Sequence, residues 1–196
     1  MIRVFDVLFS LLGLLFLSPV LFIIAFLIGV GGGSVFYRQT RIGLHGKPFR
    51  IMKFRTMKPG SDKKGLLTVG GKDNRITRVG AVLRKYKLDE LPQLFNVFKG
   101  QMSLVGPRPE VPKYVDLYSE QQKKVFEVRP GITDLASLKY FNENDLLDKQ
   151  ENPEEYYIQT IMPDKIQLNM DYADNPNLKK YFDIIFKTLF KSVRGK

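Results

Sequence analysis

The stretch VLFSLLGLLFLSPVLFIIAFLIGV, residues 7–30, decides what kind of molecule this is. It contains no charged residue, and the uncharged run continues to Tyr37. As a helix it would be roughly 36 Å long, against a hydrocarbon thickness of about 30 Å, so it belongs in lipid. A signal peptide is the obvious rival. The apolar run is too long for a signal h-region, however, and Gly31-Gly32-Gly33-Ser34 follows it instead of a small-x-small cleavage site.

Ser18-Pro19 at the centre raises the question of topology. Pro19 has no amide hydrogen for the Leu15 carbonyl and its ring crowds that turn, which predicts a kink. The Ser18 hydroxyl can serve the carbonyls thus exposed, making the kink tolerable in lipid. Two arrangements follow: a spanning helix with a proline kink, or a re-entrant helix-break-helix with both ends on the cytoplasmic face. Basic residues on both flanks, Arg3 before and Arg38 and Arg41 after, favour ends on the same side. The segment's own residues leave both arrangements open.

Working outward, 196 residues with 44% hydrophobic and 26% charged content allow one compact domain plus this accessory segment. The formal charge of +11 points to polyanionic partners: nucleic acid, anionic lipid or phosphorylated metabolites. Without cysteine, disulfides, thiolate catalysis and Cys-based zinc sites are excluded. His45 is the only histidine, in a polar turn, so no imidazole cluster can hold a metal.

After the glycines, Ser34–Gln39 and Pro48–Arg55 alternate apolar with polar or basic residues across a Gly-containing turn. This is the pattern of a β-hairpin with one apolar face and one cationic face bearing Arg38, Arg50, Lys53 and Arg55. Pro59–Asn74 reads as a long loop of the kind that forms lids. Asn74 or Thr77 then caps a helix with Ile76, Val79, Val82, Leu83 and Tyr86 on one face.

That helix leads to Lys87-Leu88-Asp89-Glu90-Leu91-Pro92-Gln93-Leu94, where two acids stand inside a basic protein. Leu91, Leu94, Phe95 and Phe98 recur at helical spacing until Gly100, which puts the acids at a helix N-terminus. The plain explanation of the pair is an N-cap and a favourable first-turn charge. The same position suits a reactive carboxylate, because a helix N-terminus draws anions such as phosphate. A carboxylate at Asp89 facing phosphates implies Mg²⁺, which takes one or two protein oxygens and fills its shell with water and substrate. Gly106-Pro107-Arg108-Pro109 and Arg129-Pro130-Gly131-Ile132-Thr133 each hold an arginine in rigid backbone, a fork suited to phosphate oxygens. Each also reads as an ordinary turn with a surface ion pair. The acidic segment from Asn142 to Pro163 reads as a surface helix or loop without an assigned role. Leu178, Tyr181, Phe182, Ile185, Leu189, Phe190 and Val193 make one face of a basic amphipathic C-terminal helix, suited either to the membrane interface or to packing on the core.

The order and spacing of these motifs resemble a known family. Ser18-Pro19 in the apolar segment, Lys53-Phe54-Arg55-Thr56-Met57, Leu88-Asp89-Glu90-Leu91-Pro92-Gln93-Leu94-Phe95-Asn96-Val97, Met102-Ser103-Leu104-Val105-Gly106-Pro107-Arg108-Pro109 and Arg129-Pro130-Gly131-Ile132-Thr133 are similar to the bacterial sugar transferases, small monotopic phosphoglycosyl transferases acting on polyprenol phosphate. The match is specific to about Thr133 and looser beyond.

The resemblance implies an α+β fold: a re-entrant membrane helix over residues 1–33, broken at Ser18-Pro19, then a small helix and β-hairpin domain over 34–196 with interfacial amphipathic helices. It implies transfer of a sugar 1-phosphate from a nucleotide diphosphate sugar, usually a UDP-sugar, to undecaprenyl phosphate with release of UMP. This would be the first membrane step of glycan assembly, at the cytoplasmic face of the bacterial inner membrane. Asp89 would be the nucleophile of a covalent phosphosugar intermediate, with Mg²⁺ nearby and Glu90 supporting proton transfer or metal binding. Arg108, Arg129, Lys53 and Arg55 are the candidate phosphate contacts. The expected partners are the nucleotide sugar, undecaprenyl phosphate and membrane lipid, not nucleic acid; a homo-oligomer is left open.

Two departures bear on sugar and base specificity. Asp134-Leu135-Ala136-Ser137-Leu138 replaces the Gly-Trp-Ala-Gln and Asn-Gly continuation common in the family, and Gln101 stands where an acid is common. The rival from another class is a membrane-anchored module that holds polyanions without turnover. It predicts binding that weakens uniformly with salt, and it gives no reason for the setting of Asp89 and Glu90.

Overall fold

The computed structural model describes residues 1–61 and 73–194. Most of the loop expected at Pro59–Asn74, and with it the lid reading, lies outside the described residues.

The apolar segment is one helix, α1 (Ile2–Val30), and it continues through Ser18-Pro19 without a non-helical residue. The Ser18 hydroxyl donates to the Leu15 carbonyl at 2.7 Å, the acceptor that Pro19 leaves without an amide partner. The expected break is therefore corrected: a serine repairs the hydrogen-bond ladder, and the helix is not interrupted. Leu15, Phe16, Phe22 and Phe26 are 64–74% exposed, so this surface is not used by the domain. A narrow stripe of Asp6, Ser10, Ile24 and Ile28 is buried instead.

Both ends of that stripe meet the same domain. Near the N-terminus, Arg3 donates to the Val97 and Phe98 carbonyls at 2.6 and 2.8 Å. One oxygen of the buried Asp6 accepts from the Ser103 hydroxyl, the Leu104 amide and the Tyr181 hydroxyl, each at 2.9 Å. Near the other end, Ile24 and Ile28 pack with Phe54 and Leu83. Arg3, which as a sequence feature suggested only topology, thus satisfies carbonyls at a helix end.

The hairpin forms as expected. Strands β1 (Phe36–Ile42) and β2 (Pro48–Phe54) pair antiparallel, with Phe36 opposite Phe54 and Ile42 opposite Pro48. The turn carries His45, exposed and in the left-handed region at φ 55°. The expected separation into apolar and cationic faces is corrected by the pleat. Side chains alternate with period two, so Phe49, Ile51 and Lys53 share one face and Arg50, Met52 and Phe54 the other. Ile51 packs with Val97 and Met102 while Phe54 packs toward α1, so each face has its own apolar contacts.

Helix α2 (Arg78–Lys85) is capped by Thr77, whose hydroxyl accepts from the Gly80 amide at 2.9 Å. A 3-10 turn, Leu88–Glu90, precedes α3 (Gln93–Phe98), and Gly100 follows with positive φ. The two Arg-Pro elements found in the sequence prove to be neighbours. Strands β3 (Ser103–Val105) and β4 (Gly131–Thr133) pair in parallel, and the Gly131 amide donates to the Pro107 carbonyl at 3.0 Å. A Cβ on Gly106 would stand 2.2 Å from the Arg129 carbonyl oxygen, which is why the backbones can approach so closely only at glycine.

The remainder is helical: α4 (Pro112–Val115), α5 (Leu135–Lys139), α6 (Glu143–Leu147), α7 (Pro153–Tyr156), a π-helical turn at Tyr157–Ile161, α8 (Met162–Asp174) and α9 (Leu178–Arg194). The acidic segment is more than surface, since Leu147, Tyr157 and Ile161 are buried in one cluster with Val111, Tyr114 and Val125. Helix α9 divides between its two readings. Tyr181 and Ile184 are buried against Val105 and Tyr172, whereas Phe186, Leu189 and Phe190 remain exposed.

Candidate active site

Asp89 and Glu90 face the cavity because of the residue that introduces them. Lys87 has φ 57°, a left-handed conformation that a side-chain-bearing residue adopts at a cost, and it turns the chain into the 3-10 turn Leu88–Glu90. Neither acid caps α3: Pro92 is its N-cap residue, and no side chain makes a capping hydrogen bond there. The N-cap explanation is therefore corrected, and the pair has another use.

Glu90 is the anchor of two cations. Its Oε1 accepts from Lys53 Nζ at 2.8 Å and from Arg108, whose second guanidinium nitrogen lies 3.4 Å from Oε2. Burial pushes the Glu90 carboxyl up, but Arg108 and Lys53 together outweigh it and hold it well below the usual carboxylate range. Arg108 is raised, chiefly by the Glu90 charge against its own burial, whereas burial pushes the Lys53 ammonium down despite the same partner. The Arg108 amide is fixed as well, donating to Asp134 at 2.8 Å. Asp134 also caps α5 by accepting from the Ser137 amide and receives Asn169 at 3.2 Å.

Asp89 is different from its neighbour. It is buried and lines the cavity, and its carboxylate makes no hydrogen bond among the described residues. Burial raises its pKa, Glu90 adds to that, and Lys53, Arg84 and Lys87 oppose it. One carboxylate is thus committed to cations, and the other is desolvated and available.

The cavity holds about 1040 Å³ and reaches from Gly13 and Leu17 of α1, past Lys53, Arg84, Asp89 and Arg108, to a region rich in tyrosine. The expected residues are only partly gathered there. Lys53, Asp89, Glu90 and Arg108 line it together. Arg55 donates instead to the Gly32 carbonyl, and Arg129 donates to the Gly100 carbonyl at 3.0 Å; neither is among the lining residues. Ser18 and Pro19 lie in α1 away from this lining.

Two residues that sequence did not single out belong to the site. Arg84, in α2, donates to Thr56 Oγ1 at 2.9 Å and lines the cavity, with its pKa lowered by burial. Its place one helical turn before the acids was the only available signal. Asp134 was visible as the first residue of the departing stretch, but its contact with Arg108 spans 26 positions and leaves no local signature.

No group of three or more His, Cys, Asp or Glu able to hold a metal occurs among the described residues. The donor set still fits Mg²⁺, which needs few protein oxygens when phosphates supply the rest, and Asp89 has uncommitted ones.

The sequence is similar to several known proteins. The family model "Bacterial sugar transferase" matches residues 1–195. The uncharacterized sugar transferase EpsL of Bacillus subtilis (strain 168) is 51% identical over 107 residues, 55% of this chain and 52% of that protein. The UDP-glucose:undecaprenyl-phosphate glucose-1-phosphate transferase of Escherichia coli (strain K12) is 35% identical over 203 residues, 99% of this chain and 40% of that protein. The exopolysaccharide production protein ExoY of Sinorhizobium fredii is 35% identical, covering 95% of this chain and 83% of its own length. The chain spans about half or less of the first two relatives. With the family model matching nearly end to end and ExoY covered over most of its length, this chain belongs to the bacterial sugar transferase family.

Proposed function

We propose that this protein transfers a sugar 1-phosphate from a UDP-sugar to undecaprenyl phosphate by way of a covalent aspartyl phosphosugar intermediate on Asp89. The observation that carries the proposal is the division of labour in the 3-10 turn: Glu90 holds two cations, while Asp89 beside it is buried and makes no hydrogen bond among the described residues. The relatives' names supply the substrates, UDP-glucose and undecaprenyl phosphate.

In the first step an Asp89 oxygen donates a lone pair to the sugar-bearing phosphorus, and the bond from that phosphorus to the bridging oxygen breaks, its electrons leaving with UMP. In the second, an oxygen of undecaprenyl phosphate attacks the same phosphorus and the bond to Asp89 breaks, restoring the carboxylate. Two anions need never be brought together with the nucleotide in one encounter. Lys53 and Arg108 neutralise the phosphate charge from fixed positions, as preorganised electrostatic catalysis requires. Glu90 acts as the positioning residue for both; a carboxyl held well below its usual range is a poor proton donor at neutral pH. Arg129 and Arg55 reach phosphate only if they leave their present carbonyl partners. A Mg²⁺ ion held by Asp89 and substrate oxygens would supply further charge neutralisation.

The membrane reading belongs to the same proposal. Contacts from both ends of α1 to one domain support a monotopic, re-entrant arrangement at the cytoplasmic face, the helix itself staying continuous through Ser18-Pro19. The exposed Phe186, Leu189 and Phe190 of α9 suit the lipid interface. Purified protein incubated with undecaprenyl phosphate and a panel of UDP-sugars should release UMP with one or more of them in a Mg²⁺-dependent manner. Asp89→Asn should lower release by at least about a thousandfold, as loss of a nucleophile does, while remaining membrane-bound. Undiminished release from that variant would remove Asp89 from the mechanism.

A further inference from the structure

The cavity continues past the phosphate anchors. Beyond Arg108 and Pro109 it is lined by Arg41, Glu110, Tyr118, Phe126 and Tyr157, none of which takes part in the transfer steps above. Glu110 organises this end. Its Oε1 accepts from Arg41 at 3.0 Å and from the Val111 amide at 2.7 Å, and its Oε2 accepts from the Tyr157 hydroxyl in the π-helical turn. Arg41 donates further to Gln39 at 2.7 Å and to the Pro109 carbonyl at 3.2 Å. The guanidinium is therefore a fixed cation on the cavity wall.

Tyr118 is held differently. Its ring stacks on Phe126 with centroids 5.8 Å apart and planes within 6°. Its hydroxyl has no hydrogen-bond partner among the described residues, and burial pushes the phenol up, so it stays protonated and keeps a donor to offer. A flat aromatic surface, an unused donor and a fixed cation form the complement of a planar ring that carries carbonyl acceptors.

We propose that Tyr118, Phe126 and Arg41 form the subsite for the uracil base of the nucleotide sugar, an inference that rests on the UDP-sugar reading. The chain itself gives the direction, because Arg108-Pro109-Glu110 leads from the phosphate anchor straight to the centre of this network. Gly13 and Leu17 line the cavity from α1, the apolar helix along which a polyprenyl chain would enter, and this leaves the aromatic end for the nucleoside. Uracil stacks against the Tyr118 and Phe126 pair and accepts from the Tyr118 hydroxyl through a ring carbonyl. Cytosine has an amino donor in place of one of uracil's two carbonyls and fits this edge less well.

The test measures UMP and CMP binding to the full-length protein in lipid nanodiscs by calorimetry, alongside steady-state UMP release from the UDP-sugar that the wild type uses. Wild type should prefer UMP. Tyr118→Phe, which keeps the ring, should weaken UMP by about fivefold, the scale of one neutral hydrogen bond, and narrow its lead over CMP. The loss should appear in KM rather than kcat. Phe126→Leu should weaken both nucleotides by about tenfold through lost stacking; if it misfolds by circular dichroism, Tyr118→Phe decides alone. Unchanged UMP affinity and UMP-to-CMP preference in Tyr118→Phe overturns the base subsite and leaves sugar phosphate transfer standing. A wild type that releases UMP from no UDP-sugar overturns the underlying reading, and the subsite with it.

Discussion

Asp89 and Glu90 are adjacent carboxyls in one short turn, and burial pushes both up, yet they end on opposite sides of the ordinary range. Contact with Arg108 and Lys53 reverses the sign for Glu90, while for Asp89 burial and the neighbouring anion outweigh the opposing charges of Lys53, Arg84 and Lys87. The signs carry through to stability. The folded-state pKa of Glu90 is depressed, so its contribution is present above the ordinary glutamate range and is lost as pH falls toward the folded value. That of Asp89 is raised, so its contribution is present at low pH and is lost as pH rises through its folded value. Glu90→Gln separates positioning from a merely structural role. It removes the anion that helps raise Asp89, so the acid limb of the kcat profile should move to lower pH. It also leaves Lys53 and Arg108 unanchored, so kcat should fall by about a hundredfold, as on losing a preorganised charge contact. A profile measured from pH 4 to 8 that keeps its acid limb would show that Glu90 does not act on Asp89.

Among the elements, the parallel pair β3 and β4 does the least visible and most consequential positioning. It sets Gly106 against the backbone of Arg129, and the residues that follow Gly106 deliver Arg108 to Glu90. Gly106→Ala places a Cβ 2.2 Å from the Arg129 carbonyl oxygen, a backbone neighbour that cannot rotate away. We expect a loss of about 1–3 kcal/mol of stability from overpacking. Turnover should drop more than binding of UMP, since Arg108 moves relative to the reacting phosphate; thermal melts and a KM against kcat comparison check this. What was legible in the sequence divides along the same line. The hairpin, the Thr77 cap and the helix from Gln93 to Phe98 follow from periodicity and local chemistry. The β3 and β4 pairing, the contact of Asp134 with Arg108 and that of Asp6 with Tyr181 join residues 26 to 175 positions apart, and no local pattern encodes them. The candidate site was legible where it is local, at Asp89, Glu90 and Arg108. It was misread at Arg55, which donates to the Gly32 carbonyl and does not line the cavity with Lys53.

For the whole molecule, the central fact is that α1 is tied to the domain near both of its ends. Arg3 and Asp6 bond to α3, β3 and α9, and Ile24 and Ile28 pack on Phe54 and Leu83. A helix crossing the bilayer would carry its two ends to opposite faces and could keep only one set of these contacts. The buried Asp6 makes the distinction costly, because losing its partners would leave a carboxylate and a tyrosine hydroxyl unpaired, about 1–3 kcal/mol for each group. The net charge of +11 adds attraction to an anionic leaflet on the domain's side. We therefore expect the N-terminus and the hairpin turn to lie on one face of the membrane. The chain has no cysteine, so single cysteines report without background. One placed ahead of Met1 and another at the exposed Gly46 should both resist a membrane-impermeant maleimide applied to sealed spheroplasts, and both should react once the membrane is opened. Labelling of the N-terminal cysteine from outside, with position 46 still protected, would mean that α1 spans the bilayer and that the contacts of Arg3 and Asp6 do not form in the membrane.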